Sequence, residues 1–437
     1  MSDPDQQVQP LRLLDTASKT LQVLTPEPGQ PLKIYCCGIT PYAPMHLGHL
    51  RIFYIMSILV RFLRFQGIGV RYVSNFTDLD DKIIQRAEEL RIPVAILSKK
   101  YIDDFFTKLD IFELEHPDSC PTVTKSIREI VQDIQRLIQN GTAYQDSQGD
   151  VRFSIKEHQR RGFRYPALVP TIEKPEDFVL WKHHEKHSNV FPSSFGEGRP
   201  GWHIECSTFG RTALGYPIDL HVGGSDLIFP HHTNEIAQNE ALIGSSGVRL
   251  WMHIGMLQRN NEKMSKSTNN LLDLNELLRI HNPAVIKLVL MNGAYQQPRN
   301  ITDELFQEAI TNHRLFEQIE AELIEAPVRI FNDHLFMREL FQSKLRIYQL
   351  LSDNLDTRAA LHEFIRVMKS CRKQLHTSGI TNGGKNFALC LMNEMDQLFG
   401  IIGCRSRSWF RSDGSTILRF CSRSGTGIRD IEQTIHH

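Results

Sequence analysis

The sequence carries no excess charge of either sign, since Lys plus Arg and Asp plus Glu each number 50. A chain with no global field has no overall attraction for nucleic acid, so any such partner must be met by a local patch. Long apolar runs are missing as well. The longest, from Ile52 to Val60, is broken at Arg61 and Arg64, well short of the roughly 20 residues that a bilayer span requires. The opening MSDPDQQVQP is acidic and polar, without the basic and apolar regions of a secretory signal, so a cytoplasmic location with no membrane attachment is expected. Cysteine is sparse. Eight residues in 437, scattered apart from adjacent Cys36 and Cys37, do not make a disulfide framework, and reduced thiols with a metal ligand or two fit better. No internal repeat is present. What remains is a globular composition, 41% hydrophobic and 23% charged, able to bury a core across roughly three structural units.

The order of patterns points to an α/β fold. Lys33 to Cys37 reads as a short strand that breaks at Gly38 and runs into a loop holding Pro41 and Pro44. A helix opens near Leu47, with so little polar face that it must be buried against a parallel sheet, and stops at Gln66-Gly67. Val70 to Ser74 is the next strand, which completes a βαβ unit and half of a doubly wound sheet. Residues from about 84 to 140 carry helical periodicity. A Pro-, His- and Gly-rich stretch from Tyr165 to Gly201 reads as surface loops of an inserted subdomain. Strand patterns return at YPIDLHVGG and RLWMHIGML, and from about 303 to 400 helical spacing predicts a bundle. From Arg405 the chain is rich in Arg, Ser and Gly, a composition able to contact phosphates.

Three groups of residues carry chemistry. HLGH, with His46, Gly48 and His49, falls in the loop and first turn after a buried strand. Imidazoles at a helix N-terminus can donate to phosphate oxygens, and a glycine lets a nucleotide approach the backbone. NEKMSKSTNN, some 215 residues later, places Lys263 and Lys266 on a polar loop between a strand and a helix. Two such lysines can neutralise the charge that grows on a leaving pyrophosphate. The third group is metal-like: Cys37, Cys206 in GWHIEC, and His231 and Glu235 in FPHHTNE. His231 and Glu235 are four apart and share a helix face, so the set suits zinc. Spacing alone leaves open His232 in place of His231 and Cys36 in place of Cys37.

The strings YCCGITPYAPMHLGH, NFTDLDDKIIQRA, DFVLWK, GEGRPGWHIECS, GGSDLIFPHHTNEIAQNEA and NEKMSKS occur in this order, and together they closely resemble the cysteinyl-tRNA synthetases, a class I family. The mycothiol-pathway cysteine ligase is a near relative that shares most of these motifs. The resemblance runs from about residue 11 to 300, more weakly to about 400. It implies a class I synthetase Rossmann-like doubly wound parallel sheet with an insertion, followed by a C-terminal helical bundle. It also implies zinc on Cys37, Cys206, His231 and Glu235, with Thr77, Trp202 and Asp226 in the amino-acid pocket. His46, Gly48, His49, Lys263 and Lys266 would hold ATP with Mg²⁺. The implied substrates are L-cysteine, ATP and tRNA(Cys), and the implied state is a monomer. A tRNA-independent ligase acting on a small amine or carrier, and an inactive paralogue, are the alternatives.

The expected division is an N-terminal segment at 1–30, a first catalytic half at 31–140, an inserted connective subdomain at 141–200, a second half with the lysine loop at 201–300, a bundle at 301–404 and a tail at 405–437. The chain departs from the family pattern at Ala43, Val222, Thr233 and Asn269. A side chain at Val222 is expected to narrow the approach of the nucleotide. Family members follow the bundle with a small anticodon-reading domain. Here only the Arg-rich stretch after Cys404 follows, so anticodon reading is expected to be weakened.

Overall fold

A computed structural model describes residues 9–172, 175–184, 189–259, 262–263, 272–330 and 333–403. The chain begins with a hairpin, β1 (Arg12–Leu14) against β2 (Leu21–Val23). It then forms the βαβ unit that the sequence predicts: β3 (Leu32–Ile39), α1 (Leu47–Phe65) and β4 (Val70–Phe76), with β3 and β4 parallel. Three helices follow, α2 (Asp81–Leu90), α3 (Val94–Ile111) and α4 (Ile127–Gln139). The insertion is built of β5 (Ala143–Gln145), β6 (Val151–Phe153), α5 (Ile155–Arg160), β7 (Phe178–His183) and β8 (Gly198–Pro200). Its four strands pair antiparallel in sequence order. Two of them lie inside the stretch that reads as loops, because Leu180 and Trp181 are buried there while the flanking Pro, His and Gly mask the strand signal.

The second half supplies α6 (Trp202–Ala213), β9 (Ile218–Gly224), α7 (Thr233–Ile243) and β10 (Val248–Ile254). Next come β11 (Leu257–Arg259), β12 (Glu262–Lys263), α8 (Leu274–Ile280), α9 (Pro283–Met291) and β13 (Arg299–Asn300). The long helices α10 (Asp303–Glu325), α11 (His334–Ser352), α12 (Thr357–Thr377) and α13 (Asn382–Phe399) finish the described chain and give the expected bundle.

The central sheet runs β10-β9-β3-β4, all parallel. Alternation along β3 sorts its side chains. Leu32, Ile34 and Cys36 face the core shared with α1, whereas Tyr35 and Cys37 face the core shared with α6 and α7. The crossover after β3 therefore covers one face and the crossover after β9 the other. The carboxyl ends of β3 and β9 diverge into a crevice at this reversal, the place where open α/β sheets bind ligands.

Helix α1 is buried almost all round, from Leu47 to Leu63. It is tied laterally by Arg51, whose guanidinium donates to the carbonyls of Gly255 (2.6 Å), Gln297 (3.1 Å) and Ala294 (3.2 Å). The segments flanking β11 and β13 are thereby held against the start of α1. Val222, fully buried in β9, packs in the core with Cys36, Met252 and α1.

Candidate functional site

The crevice holds two groups of side chains, both set by the carboxyl end of β3. The first is the start of α1. His46 is its N-cap in extended conformation and its Nδ1 accepts from the His49 backbone N–H at 3.3 Å. The two imidazoles stack with centroids 3.6 Å apart and planes 19° apart. A Cβ on Gly48 would sit 3.0 Å from the His46 ring, so the glycine leaves the space in which the rings stack. No acid occupies the first turn of this helix, and its N-terminal field stays favourable to an anion. His46 also forms an isolated antiparallel bridge with Asp273. Asp273 caps α8 by accepting from the amides of Asn275 and Glu276, so the chain leaving the lysine loop returns to HLGH. Lys263 ends β12, while Lys266 and Asn269 lie outside the described residues.

The second group is a buried donor cluster. Strand β3 bulges between Cys36 and Ile39, and Gly38 permits the bulge, since a Cβ there would lie 1.5 Å from the Asn75 carbonyl oxygen. Asn75 Oδ1 accepts from Gly38 N at 2.9 Å and from the Tyr35 hydroxyl at 3.0 Å. This holds Cys37 towards α6 and α7. Around its Sγ stand Cys206 Sγ (3.9 Å), His232 Nε2 (3.1 Å), His221 Nε2 (3.4 Å) and Glu235 Oε1 (3.9 Å). His231 Nε2 lies 3.1 Å from Glu235 Oε1. One donor atom from each of Cys37, His231, His232 and Glu235 falls within a 4.8 Å span, all of them buried.

Of the four residues picked from the sequence, Cys37, His231 and Glu235 fall in this group, His232 is its fourth member, and Cys206 adjoins it with its Sγ 3.9 Å from that of Cys37. Cys36 is not among them. It points into the opposite core, where burial pushes its thiol up to about 12.

Burial dominates the electrostatics of this cluster. Burial drives Glu235 and Cys37 well above their ordinary values and His221 and His232 well below. The hydrogen bond from Cys37 holds Cys206 down to about 7. Two thiols, imidazoles and a carboxyl this deep are costly when charged without a partner, and a dication satisfies them together. A further contact orients one imidazole: His203 Nδ1 lies 3.0 Å from His231 Nδ1, which leaves Nε2 facing Glu235.

Thr77 is buried and donates to Glu205 Oε2 at 2.9 Å. Trp202, 45% exposed at the start of α6, stacks on the His231 ring at 4.5 Å and forms the outer wall of the cluster. Asp226 sits on the exposed turn after β9, folded back over Gly224. Asn75, Glu205, His203, His221 and His253 were not singled out by sequence. His221 and His253 were each a lone polar residue in an apolar string, and Asn75, His203 and Glu205 stood among other polar residues, signals too common to mark a site.

Residues 24–311 match the family described as tRNA synthetases class I (C) catalytic domain. The cysteine–tRNA ligase of Bacillus cereus (strain AH820) is 34% identical over 415 residues, covering 90% of this chain and 87% of that protein. The chain belongs to the class I cysteinyl-tRNA synthetase family. The Bacillus anthracis (strain CDC 684 / NRRL 3495) cysteine–tRNA ligase matches to the same extent. Among solved structures, Mycobacterium tuberculosis methionyl-tRNA synthetase in complex with methionyl-adenylate superposes with a TM-score of 0.68 at 15% identity, covering 85% of this chain and 92% of that one. That likeness establishes the class I fold for this synthetase-family chain.

Proposed function

We propose that the protein is a cysteine–tRNA ligase in which a zinc ion at the buried cluster selects the amino acid. The cluster of Cys37, Cys206, His231 and Glu235, at the end of the strand that leads into HLGH, is the observation that carries the reading. Membership of an ATP-dependent synthetase family brings amino acid, ATP and tRNA as substrates. A zinc ion held there supplies a soft Lewis acid that binds a thiolate far better than a hydroxyl, which separates cysteine from serine without an editing step.

The remaining work falls to the chain's own groups. Trp202 closes the pocket over His231, and Thr77, fixed by Glu205, orients the substrate from within. Asp226, on the turn after β9, matches an acid of the same pocket in the family. The cysteine carboxylate oxygen attacks the α-phosphorus of MgATP and the bond to pyrophosphate breaks. His46 and His49 at the helix N-terminus steady the α-phosphate, and Lys263 and Lys266 take the charge of the leaving group. A tRNA terminal hydroxyl then attacks the carbonyl and AMP leaves. The reading extends to a cytoplasmic monomer; among the described residues no helix is long and apolar enough to cross a membrane.

The test is AMP release from ATP and cysteine, with and without total tRNA, with serine as the control. Cysteine-dependent release strongly stimulated by tRNA supports the ligase. Release indifferent to tRNA assigns another acceptor, and no release contradicts the reading altogether.

A further inference from the structure

Cys37 stands at the inner end of a row of hydrogen bonds that begins in the N-terminal hairpin. Thr16 Oγ1 lies 2.7 Å from His253 Nδ1, His253 Nε2 lies 2.7 Å from His232 Nδ1, and His232 Nε2 lies 3.1 Å from Cys37 Sγ. Both histidines are buried, and a buried imidazole is held neutral, with one N–H. Such a row has two consistent proton arrangements. In the outward one, Cys37 S–H donates to His232, His232 Nδ1–H to His253, and His253 Nδ1–H to Thr16. In the inward one, the Thr16 hydroxyl donates first and His232 Nε2–H ends on the sulfur. A metal-bound thiolate has no proton to give, so only the inward arrangement suits a Cys37 ligand.

We propose that Thr16 is a positioning residue for the metal-binding thiolate: its hydroxyl donates to His253 Nδ1 and so completes the inward arrangement, in which His232 Nε2–H points at Cys37 Sγ. The inference rests on the metal-ligand reading of Cys37. It also sorts the neighbouring imidazoles. His232 is a donor to the sulfur, and His231, whose Nδ1 is engaged by His203, is the ligand.

The hydroxyl is delivered by rigid backbone. Thr16 N–H donates to the Trp251 carbonyl at 2.9 Å, and Trp251 N–H donates to Asp15 Oδ1 at 2.9 Å. The same Asp15 carboxylate accepts from the amides of Ala17 and Ser18. The far end of the hairpin is pinned to the turn between α11 and α12, where Leu14 N–H donates to Asn354 Oδ1 (2.9 Å) and Asn354 N–H to the Arg12 carbonyl (2.8 Å). Thr16 therefore reaches His253 from a segment braced on two sides.

Thr16→Val keeps the shape and the backbone bonds and removes only the hydroxyl; Thr16→Ser restores it, and Thr16→Ala is a second hydroxyl-free variant should valine not fold. The measurements, on the full chain, are zinc affinity by competition with a chromogenic chelator and the sulfur-to-cobalt charge-transfer band of the cobalt-substituted protein. Thr16→Val is expected to weaken zinc binding roughly 10-fold, at the lower end of what outer-shell partners contribute, and to move the band to lower energy. Thr16→Ser should stay close to wild type in both. Unchanged affinity and an unmoved band in the hydroxyl-free variants would overturn the role of Thr16 while leaving the metal site standing, as would a serine variant as weak as valine. Wild-type protein that binds no zinc, or Cys37→Ser that binds it as tightly, overturns the ligand reading and the inference with it.

Discussion

Gly38→Ala places a methyl group where β3 has no room for one. The added Cβ would lie 1.5 Å from the Asn75 carbonyl oxygen and 2.6 Å from its carbon, roughly 2 Å inside ordinary contact. The obstacle is backbone of β4, a neighbouring strand, so no side chain can swing aside. Relief requires the strands to part at the bulge, which strains the bonds from Gly38 N and the Tyr35 hydroxyl to Asn75 Oδ1. Overpacking of a close-fitting core costs about 1–3 kcal/mol, and each weakened buried hydrogen bond adds about 1 kcal/mol. The sum is on the order of 3–5 kcal/mol, or a fall of roughly 3–6 °C in melting temperature for a chain of this length. Because Cys37 is the adjacent residue, zinc content should fall with it. The assay is a thermal melt followed by tryptophan fluorescence, with zinc measured on the same samples. Gly69→Ala is the control, since its Cβ would meet only Pro31 at 3.5 Å and should change stability by no more than about 0.5 kcal/mol. A Gly38→Ala protein that melts with wild type and keeps its zinc would refute the argument that the bulge aims Cys37.

Two further outcomes are expected. Lys266→Ala should slow adenylate formation on the order of 100-fold with little change in cysteine binding; pre-steady-state adenylate formation at the wild-type rate would remove the lysine from the mechanism. In the metal-free protein burial raises Glu235 and Cys37, so what each contributes is full below its unfolded value and is lost as pH rises through the folded one. Zinc must displace those protons. Its uptake should therefore release protons, seen as a buffer-dependent heat in titration calorimetry, and the melting gap between loaded and stripped protein should widen from pH 6 to 8. A gap that narrows with rising pH contradicts the ligand assignment.

Much of this was legible in the sequence because periodicity and spacing report it directly. The apolar sweep of α1, the glycine stops and the strand strings gave the parallel sheet, and helical spacing gave the bundle. HLGH and the residues of the buried cluster were legible as types in a pattern, and the alternation of β3 then separated Cys37 from Cys36, which no spacing could do before the two faces of the sheet were assigned. What stayed hidden depended on contacts between distant segments. The β7 strand, read as loop, is held by pairing with β6 and β8. Val222 fills the core beside α1, where expectation had it narrowing the nucleotide's approach. Thr16 reaches the buried cluster across more than two hundred residues of chain through His253, and no local pattern marks it. The stretch from Arg405 to His437, whose composition suits either a phosphate contact or a solvated terminus, lies outside the described residues.

The central claim is that a metal ion on the buried cluster reads the substrate's sulfur. Its most direct test is pyrophosphate exchange with cysteine and with serine, run on zinc-loaded, stripped and reloaded protein. The account requires a preference for cysteine on the order of 10⁴ in the loaded enzyme, its collapse on stripping and its return with zinc. A preference of the same size in the stripped protein would contradict it.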